Sequence, residues 1–536
     1  MSRSVAAAAV IIMLGNIAGR LLGLAREQTV GALLGTSSSA DAFRVAYKVP
    51  TMVYDLLIGG ALTAALVPVF SDYAGPERRE RLGQVAGAVL TAAGLALLTA
   101  VLVLIALARP LMWLLAGGRP PEVQAEAAVA VRWMLPSVLF LGLSSVLMAV
   151  LYALRRYTAP AFCVATYNAG IVLLGVVLGG RAPLPALLAG ILLGAIAQVV
   201  VQLPALRDVP LRPALRLRDP AVQRITHLYV PVFLGLVLTQ IMVVIDSNLA
   251  SHTGEGSIAS LGFATTLIQF PLGLTASALS FATLPVLSRA AGAASDAGEA
   301  EYQRTLRASV RVALLLIVPA MVLLVLLRVP VVRLLFERGR FDEASTASTA
   351  LAFLFYSPQL PFTAVDQLFI AAYYARKNTR TPVLVGVAGV FIYLAAALTF
   401  LGPLQMGMPG LALANAVQNS AHAIILGVLL QRTGCCVFDR AQWSFVARIA
   451  LAALVCGTTA WAAAHLVTPL SAGWPRLFAD AAVVAAAGTA GMLAYVLALQ
   501  TLRVRELGLI VAPVLQRLGL RQPAQAAGAV QPEGSR

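Results

Sequence analysis

The feature that most limits what this chain can become is the recurrence of apolar runs long enough to cross a bilayer. Fourteen can be counted, at about 5–34, 41–72, 83–107, 124–154, 160–179, 184–206, 225–250, 256–288, 308–327, 345–374, 382–401, 408–431, 443–466 and 476–500. A hydrocarbon core of about 30 Å takes roughly 20 helical residues to cross, and backbone polar groups inside it must be satisfied within the segment. The chain is therefore expected to be an all-α polytopic membrane protein with fourteen transmembrane helices. Its 536 residues are 60% hydrophobic and 12% charged, a balance that no soluble core requires. The first run is too long for a signal peptide and has no cleavage pattern ahead of it, so it reads as an uncleaved first helix.

The net charge of +16 matters through its distribution. Connections after even-numbered runs carry Arg78-Arg79-Glu80-Arg81, Arg155-Arg156, Arg207 through Arg224, Arg304 and Arg307, Arg376-Lys377 with Arg380, and Arg432 with Arg440. Those after odd-numbered runs are mostly poor in base, as at 35–40, 252–256 and 401–408. Positive charge stays inside, so both termini are expected in the cytoplasm, and anionic lipid headgroups rather than nucleic acid are the expected partners of the basic excess. Two connections break the pattern, Arg109–Arg119 and Arg328–Arg340, and read as short re-entrant or interfacial pieces. Residues 501–536 are expected to hold an interfacial helix, Arg503 to Arg521, and then a disordered tail. The cysteines Cys163, Cys435, Cys436 and Cys456 show no metal-ligand spacing and read as reduced thiols. The scattered His227, His252, His422 and His465 read as caps or packing. No cofactor is expected; the energy source is left as a coupling cation or the membrane potential.

An internal repeat appears at an offset near 220. Leu66-Val-Pro-Val-Phe-Ser-Asp72 closes the second run and Thr283-Leu-Pro-Val-Leu-Ser-Arg289 the eighth. Tyr152-Ala-Leu-Arg-Arg-Tyr-Thr-Ala-Pro160 follows the fourth and Tyr374-Ala-Arg-Lys-Asn-Thr-Arg-Thr-Pro382 the tenth. The paired motifs lie an even number of runs apart, so the halves have one orientation. Parallel repeats of this kind build two bundles that give alternating access to a site near the midplane.

Charged groups inside the runs are few and therefore informative, because each is expensive there. The first run carries Arg20, Arg26 and Glu27. Arg20, Gly23 and Glu27 share a face and Arg26 lies off it, so the three converge only on a wide cavity or a bent helix. Gly15, Gly19, Gly23, Gly31 and Gly35 keep a four-residue register that Glu27 interrupts, a seam where another helix can approach closely. An ordinary packing seam with arginines reaching to an interface is the plainer alternative. The second run carries Asp41, Lys48 and Asp55 on one stripe with Arg44 beside it, and Pro50 frees a carbonyl there. Asp41 and Arg44 lie near the outer end, where they can snorkel; Lys48 and Asp55 are deeper. The second half offers Gln240, Asp246, Thr265, Thr266 and Gln269, with Asp366 as a further acid and no deep arginine. Two guanidinium groups on one half suit a phosphate or diphosphate, which they bind bidentately.

The stretches Gly19-Arg-Leu-Leu-Gly-Leu-Ala-Arg26, Ala40-Asp-Ala-Phe-Arg-Val-Ala-Tyr-Lys-Val-Pro50, Leu66-Val-Pro68, Phe336-Glu-Arg-Gly-Arg-Phe341 and 374–382 resemble the MurJ (MviN) family. These are lipid II flippases of the multidrug/oligosaccharidyl-lipid/polysaccharide exporter superfamily, and the likeness runs over nearly the whole chain. It implies translocation of lipid II, the undecaprenyl-diphosphate-linked peptidoglycan precursor, from the inner to the outer leaflet for cell-wall synthesis. It implies two six-helix lobes around a central cavity, 1–206 and 225–431, joined by a cytoplasmic linker at 207–224. Two extra helices within 443–500 would form a groove for the lipid tail. The residues carried over are Arg20, Arg26, Asp41 and Lys48, with Glu27 in the acidic position after the second arginine. Departures fall at Thr51-Met-Val-Tyr-Asp55, where many members have an arginine, and at Ala264-Thr-Thr-Leu-Ile-Gln-Phe-Pro271. There Thr266 replaces an arginine and Gln269 a frequent glutamate.

The implied partners are a lipid-diphosphate-linked glycopeptide, membrane lipids and cell-wall synthesis proteins. Competing readings are an exporter of another polyprenyl-linked glycan, a cation-coupled drug exporter using Asp41, Asp55 or Asp246, and a transport-silent scaffold that lost the second-half arginines. A membrane enzyme acting on lipid diphosphates lacks any paired acid and base or metal-ligand set. The orientation is directly testable by single-cysteine labelling. Positions in 207–224 are expected to stay protected from an impermeant reagent outside the cell and positions in 252–256 to react; labelling of 207–224 from outside would overturn the assignment.

Overall fold

A computed structural model of the chain describes residues 3–56, 65–293, 295–435, 437–504 and 506–508. Among them the regular structure is entirely helical. The first helices are α1 (Arg3–Leu34), α2 (Ser38–Tyr54), α3 (Val67–Ser71), α4 (Arg79–Ala106), α5 (Ala108–Leu115), α6 (Pro121–Met134) and α7 (Pro136–Ala153). Then come α8 (Thr158–Leu178), α9 (Pro183–Val200), α10 (Pro220–Ser251), α11 (Ser257–Gly292), α12 (Asp296–Leu326) and α13 (Arg328–Phe336). The last are α14 (Glu343–Tyr356), α15 (Gln359–Ala375), α16 (Arg380–Leu401), α17 (Met408–Arg432), α18 (Arg440–Leu470) and α19 (Arg476–Thr501). Nine helical stretches among the described residues are long and apolar enough by themselves to cross a membrane. The chain is a multi-pass, all-α membrane protein.

The helices overlie the apolar runs, and proline marks where a run is divided. Pro136 separates α6 from α7, and Ser357-Pro358 separate α14 from α15, because proline supplies no backbone donor and crowds the preceding turn. The two connections that break the charge pattern hold the short helices α5 and α13. Cys163, Cys435 and Cys456 are free and buried. Cys436, the segment 57–64 of the second run and the tail from 509 onward lie outside the described residues, and with them most of the interfacial helix expected at 503–521.

By packing, the chain divides into two units. The first comprises Met1–Leu267, Val331–Tyr356 and Tyr393–Asn415, and the second Ile268–Pro330, Ser357–Ile392 and Ala416–Arg536. The first unit has a core in which Val69 and Phe70 meet Leu82, Val85, Leu147 and Val150. The second has one in which Leu287 and Tyr302 meet Leu306, Phe369, Ala372 and Leu426. In a further cluster of the second unit, Leu315 of α12 packs with Ile449 and Cys456 of α18 and Tyr495 of α19.

The repeat is written into backbone geometry as well as sequence. Arg155, after α7, and Lys377, after α15, both have φ of 58°. Arg156 N donates to Leu151 O at 2.8 Å, and Asn378 N donates to Tyr373 O at 3.0 Å, which is the same helix-terminating hydrogen bond 222 residues on. Each turn carries a basic residue in a conformation that glycine adopts more easily.

The first turn is also tied by charge. Arg156 donates to Asp208 Oδ1 at 2.5 Å and Oδ2 at 2.7 Å, and Arg79 reaches Oδ2 at 3.0 Å. The Arg156 guanidinium beside Asp208 holds its carboxyl below the usual carboxylate range. The pair is solvent-exposed, so it registers the loop more than it stabilises the fold.

The glycine seam of α1 meets α8. A Cβ at Gly15 would lie 2.3 Å from Ala161 O, one at Gly19 would lie 3.3 Å from Val164, and one at Gly23 would lie 3.5 Å from Asn168. Past Glu27 the seam changes partner, and Gly31 faces Phe263 and Phe341. Gly15→Ala is therefore expected to force the two helices apart and lower stability by about 1–3 kcal/mol. Gly23→Ala has room and should be neutral or slightly stabilising, since alanine favours a helix by roughly 0.5–1 kcal/mol over glycine. Thermal unfolding of the two purified variants checks the contrast, and equal shifts would refute the seam.

Candidate functional site

α1 ends at Leu34, Gly35 with φ of 61° turns the chain, and α2 starts at Ser38, with Ser37 as N-cap accepting from Ala40 N. This tight reversal carries two charged helices back into one interior. Glu27 of α1 is buried there, and each of its oxygens takes a different arginine. Arg26 Nη2 donates to Oε1 at 2.7 Å, and Arg44 Nη2 of α2 donates to Oε2 at 2.5 Å. Arg26 further donates to Asn168 Oδ1 of α8 at 3.1 Å and to Tyr47 OH at 3.2 Å. Arg44 lies over the Phe263 ring at 4.4 Å and against the α11 backbone at Gly262, and its Nε has no acceptor among the described residues. Burying three charges is tolerable because two guanidinium groups flank one carboxylate with directed hydrogen bonds.

Farther along α2, Lys48 Nζ stands 3.8 Å from Asp246 Oδ2 of α10, and Tyr393 OH of α16 donates to Asp246 Oδ1 at 2.6 Å. The interior thus gathers Arg26, Arg44 and Lys48 against Glu27 and Asp246, with Asp55 as a further acid beside Arg26.

Asp41 and Arg44 do not snorkel. Asp41 is fully enclosed: Oδ2 accepts from Gly256 N and Oδ1 from Ala259 N, each at 2.8 Å, so its side chain caps the first turn of α11. Arg119 Nη2 lies 2.8 Å from Oδ2, off the line of a good hydrogen bond, and the contact is chiefly electrostatic. Asp41 and Arg119 side chains are 1% and 5% exposed. Helix capping at a positive helix terminus and a counter-charge together hold Asp41 inside, where a run-end acid would otherwise reach for water. Around it Arg340 N donates to Ala32 O, Gly118 N to Ser251 Oγ, and Ser38 Oγ to Glu255.

A cavity of about 240 Å³ opens beside this network, lined among others by Arg26, Tyr47, Tyr54, Asp55, Tyr167 and Asn168. Of the residues singled out from sequence, Arg26 and Asp55 share this cavity, with Glu27 directly behind Arg26. Arg20 is on an exposed part of α1, and Asp41 stands apart as a cap. Thr266 turns its hydroxyl back to Gly262 O at 3.1 Å, and Gln269 is exposed in the second unit. Arg44 was legible, since it lies three residues after Asp41 and four before Lys48 on the same helix. Asn168, Tyr167 and Arg119 carried no such signal.

The fold and this charged interior define a multi-pass membrane transporter with an arginine-bordered chamber. The family model described as lipid II flippase MurJ matches residues 30–473. The lipid II flippase MurJ of Burkholderia cenocepacia is 29% identical over 459 residues, covering 84% of this chain and 88% of that one. The probable lipid II flippase MurJ of Rhizobium meliloti is 30% identical over 479 residues, covering 86% and 87%. Among solved structures, a lipid II flippase MurJ in an inward closed conformation superposes with a TM-score of 0.75 at 22% identity, over 96% of this chain and all of that one. An inward-facing multidrug resistance MATE family transporter of the MOP superfamily gives 0.66 at 15% identity, over 78% and 94%. The chain belongs to the MurJ lipid II flippase family, whose members are transporters rather than enzymes.

Asp41→Ala would leave Arg119 buried without its counter-charge. A loss of about 3–5 kcal/mol is expected, of which the double variant Asp41→Ala/Arg119→Met should recover a large part. Thermal unfolding of both in detergent tests this; a single variant as stable as the parent would exclude the role.

Proposed function

We propose that this protein carries the lipid-diphosphate-linked peptidoglycan precursor, lipid II, from the inner to the outer leaflet of the bacterial membrane for cell-wall synthesis. Family membership supports the cargo, and the observation that carries the mechanism is the sharing of Glu27 by Arg26 and Arg44. Arg26 is 24% exposed and borders the cavity, whereas Arg44 is 14% exposed and wedged against Phe263. An entering diphosphate displaces Glu27 from Arg26 and is bound bidentately, while Arg44 keeps Glu27 neutralised. Arg20 lies six residues earlier, about 9 Å nearer the N-terminus along α1, and meets the headgroup first. Lys48, Asp55, Thr266 and Gln269 contact the rest of the headgroup, and Asp41 holds the first turn of α11.

Both termini face the cytoplasm in this reading. The repeats, 1–206 and 225–431, alternate access, with 207–224 as the linker between them. Residues 443–500 form the groove for the lipid tail. Support for the groove comes from exposed Leu454, Trp461 and Leu466 on α18 and Leu493 and Leu497 on α19. Cell-wall synthesis proteins are the partners that would consume the delivered precursor.

The test is leaflet-to-leaflet transport of a fluorescent lipid diphosphate in reconstituted vesicles. Arg26→Lys is expected to impair it nearly as much as Arg26→Ala, because an ammonium cannot reproduce the bidentate contact. A charge-assisted hydrogen bond is worth about 1.5–3 kcal/mol, so binding should weaken roughly ten- to a hundredfold. Thr266→Arg should strengthen it. Undiminished transport by a folded Arg20/Arg26 double alanine variant would refute the proposal.

A further inference from the structure

The second unit contains a titratable pair that the cargo chamber does not use. His422 of α17 and Asp366 of α15 meet with Nδ1 and Oδ1 2.7 Å apart, and their side chains are only 16% and 15% exposed. His422 lies ten residues before Arg432 at the end of its helix, about 15 Å at the rise of an α-helix. The pair is therefore well inside the apolar layer, where ionisable groups are kept for function more often than for stability.

Its surroundings are built for a polar occupant. Gln418 and Asn419 stand one turn before His422, and Asn419 Nδ2 donates to Gln359 Oε1 at 2.6 Å. Across from them α16 presents glycines: a Cβ at Gly386 would lie 3.9 Å from His422 Nε2, and one at Gly389 would face Gln418. The Pro382 carbonyl is also within hydrogen-bond reach of the imidazole. A neutral imidazole has one N–H and can satisfy one of its two acceptors, whereas the protonated ring donates from both nitrogens.

Along α16 and α17, from Thr381 to Gln431, no other charged residue competes. From Thr381 to Gln431 of α16, α17 and their connection, His422 is the sole ionisable group besides Tyr393 of the other unit. α15 adds Asp366 and Tyr373, whose hydroxyl donates to Leu426 O, and α12 adds Tyr302, whose hydroxyl donates to Ala372 O. The ion pair of Arg376 with Glu299 lies at the end of α15. The first proton to come or go near neutral pH in this region belongs to the imidazole.

We propose that His422 and Asp366 form a proton-binding site that couples the motion of this unit to a transmembrane proton gradient. A proton from water on one side adds to the free ring nitrogen, Asp366 remains ionised as its counter-charge, and the same proton returns to water on the other side. Loading changes the pair from singly negative to neutral, and a neutral pair is less costly to move through an apolar layer. The inference rests on the transport reading for what is driven, and on the geometry of the pair for what drives it.

Two measurements on the full chain test it. In lipid nanodiscs, nitrogen-15 histidine spectra, assigned with His422→Gln, should show the His422 ring titrating between about pH 5 and 8. Asp366→Asn should shift that titration. In vesicles holding a pH indicator, a gradient of about one unit should change transport of a fluorescent lipid diphosphate by roughly two- to tenfold. His422→Gln keeps a hydrogen-bonding amide beside Asp366 and should abolish the response while leaving cargo binding intact. A ring that does not titrate in this range, or a gradient response unchanged in His422→Gln, overturns the proposal. If the parent protein moves no lipid diphosphate yet its proton flux still depends on His422, the cargo assignment fails and the proton site stands.

Discussion

Glu27 is claimed by Arg26 through one oxygen and by Arg44 through the other, and the interior of the first unit depends on that division. Without the carboxylate, two guanidinium groups would confront each other in a medium of low dielectric. With it, the later part of α1 is tied to α2 through one shared carboxylate. The arrangement also distinguishes two arginines of the same chemistry. Arg44 is stacked on Phe263, whereas Arg26 borders open space. An anion reaching Arg26 in the proposed mechanism would have to take it from Glu27, while Arg44 keeps the carboxylate paired.

Much of the fold was legible because hydrocarbon imposes a coarse code. Run length marked the spans, proline marked the breaks within them, and the glycine register of α1 marked the face that meets α8. The candidate site was legible only in part. Deep charges announce themselves, so Arg26, Glu27 and Lys48 could be read directly. Their partners could not, because partner choice depends on which helices become neighbours. Nothing in the sequence joins Asp41 to Arg119 or to the first turn of α11. The same holds for His422, which periodicity alone offers as a cap or a packing residue. Only the approach of α15 to α17 reveals its carboxylate. His252 occupies the C-cap position of α10, whereas His422 lies within α17 and meets a carboxylate.

The repeat illustrates how sequence drift and geometry can part company. In the first half the interior is arginine-rich; in the second, the deep groups are Asp246, Asp366 and His422. The deep charged groups of the two halves fall at different positions, while the turns that end α7 and α15 share the same φ. Side-chain chemistry differs between the halves in their interiors, and backbone geometry is shared where each half reverses direction.

Those two turns have a consequence for how the protein is made. Arg155 and Lys377 occupy a left-handed conformation that would be relaxed with glycine and is strained by about 1–2 kcal/mol with a side chain. In the orientation proposed above, glycine at these points would ease the turn but remove a cation from the short loops that tell the insertion machinery which end of each hairpin to retain. A small conformational strain in the finished molecule is thus exchanged for an unambiguous choice during synthesis. Each half, as it emerges, carries its own orientation signal at the same place.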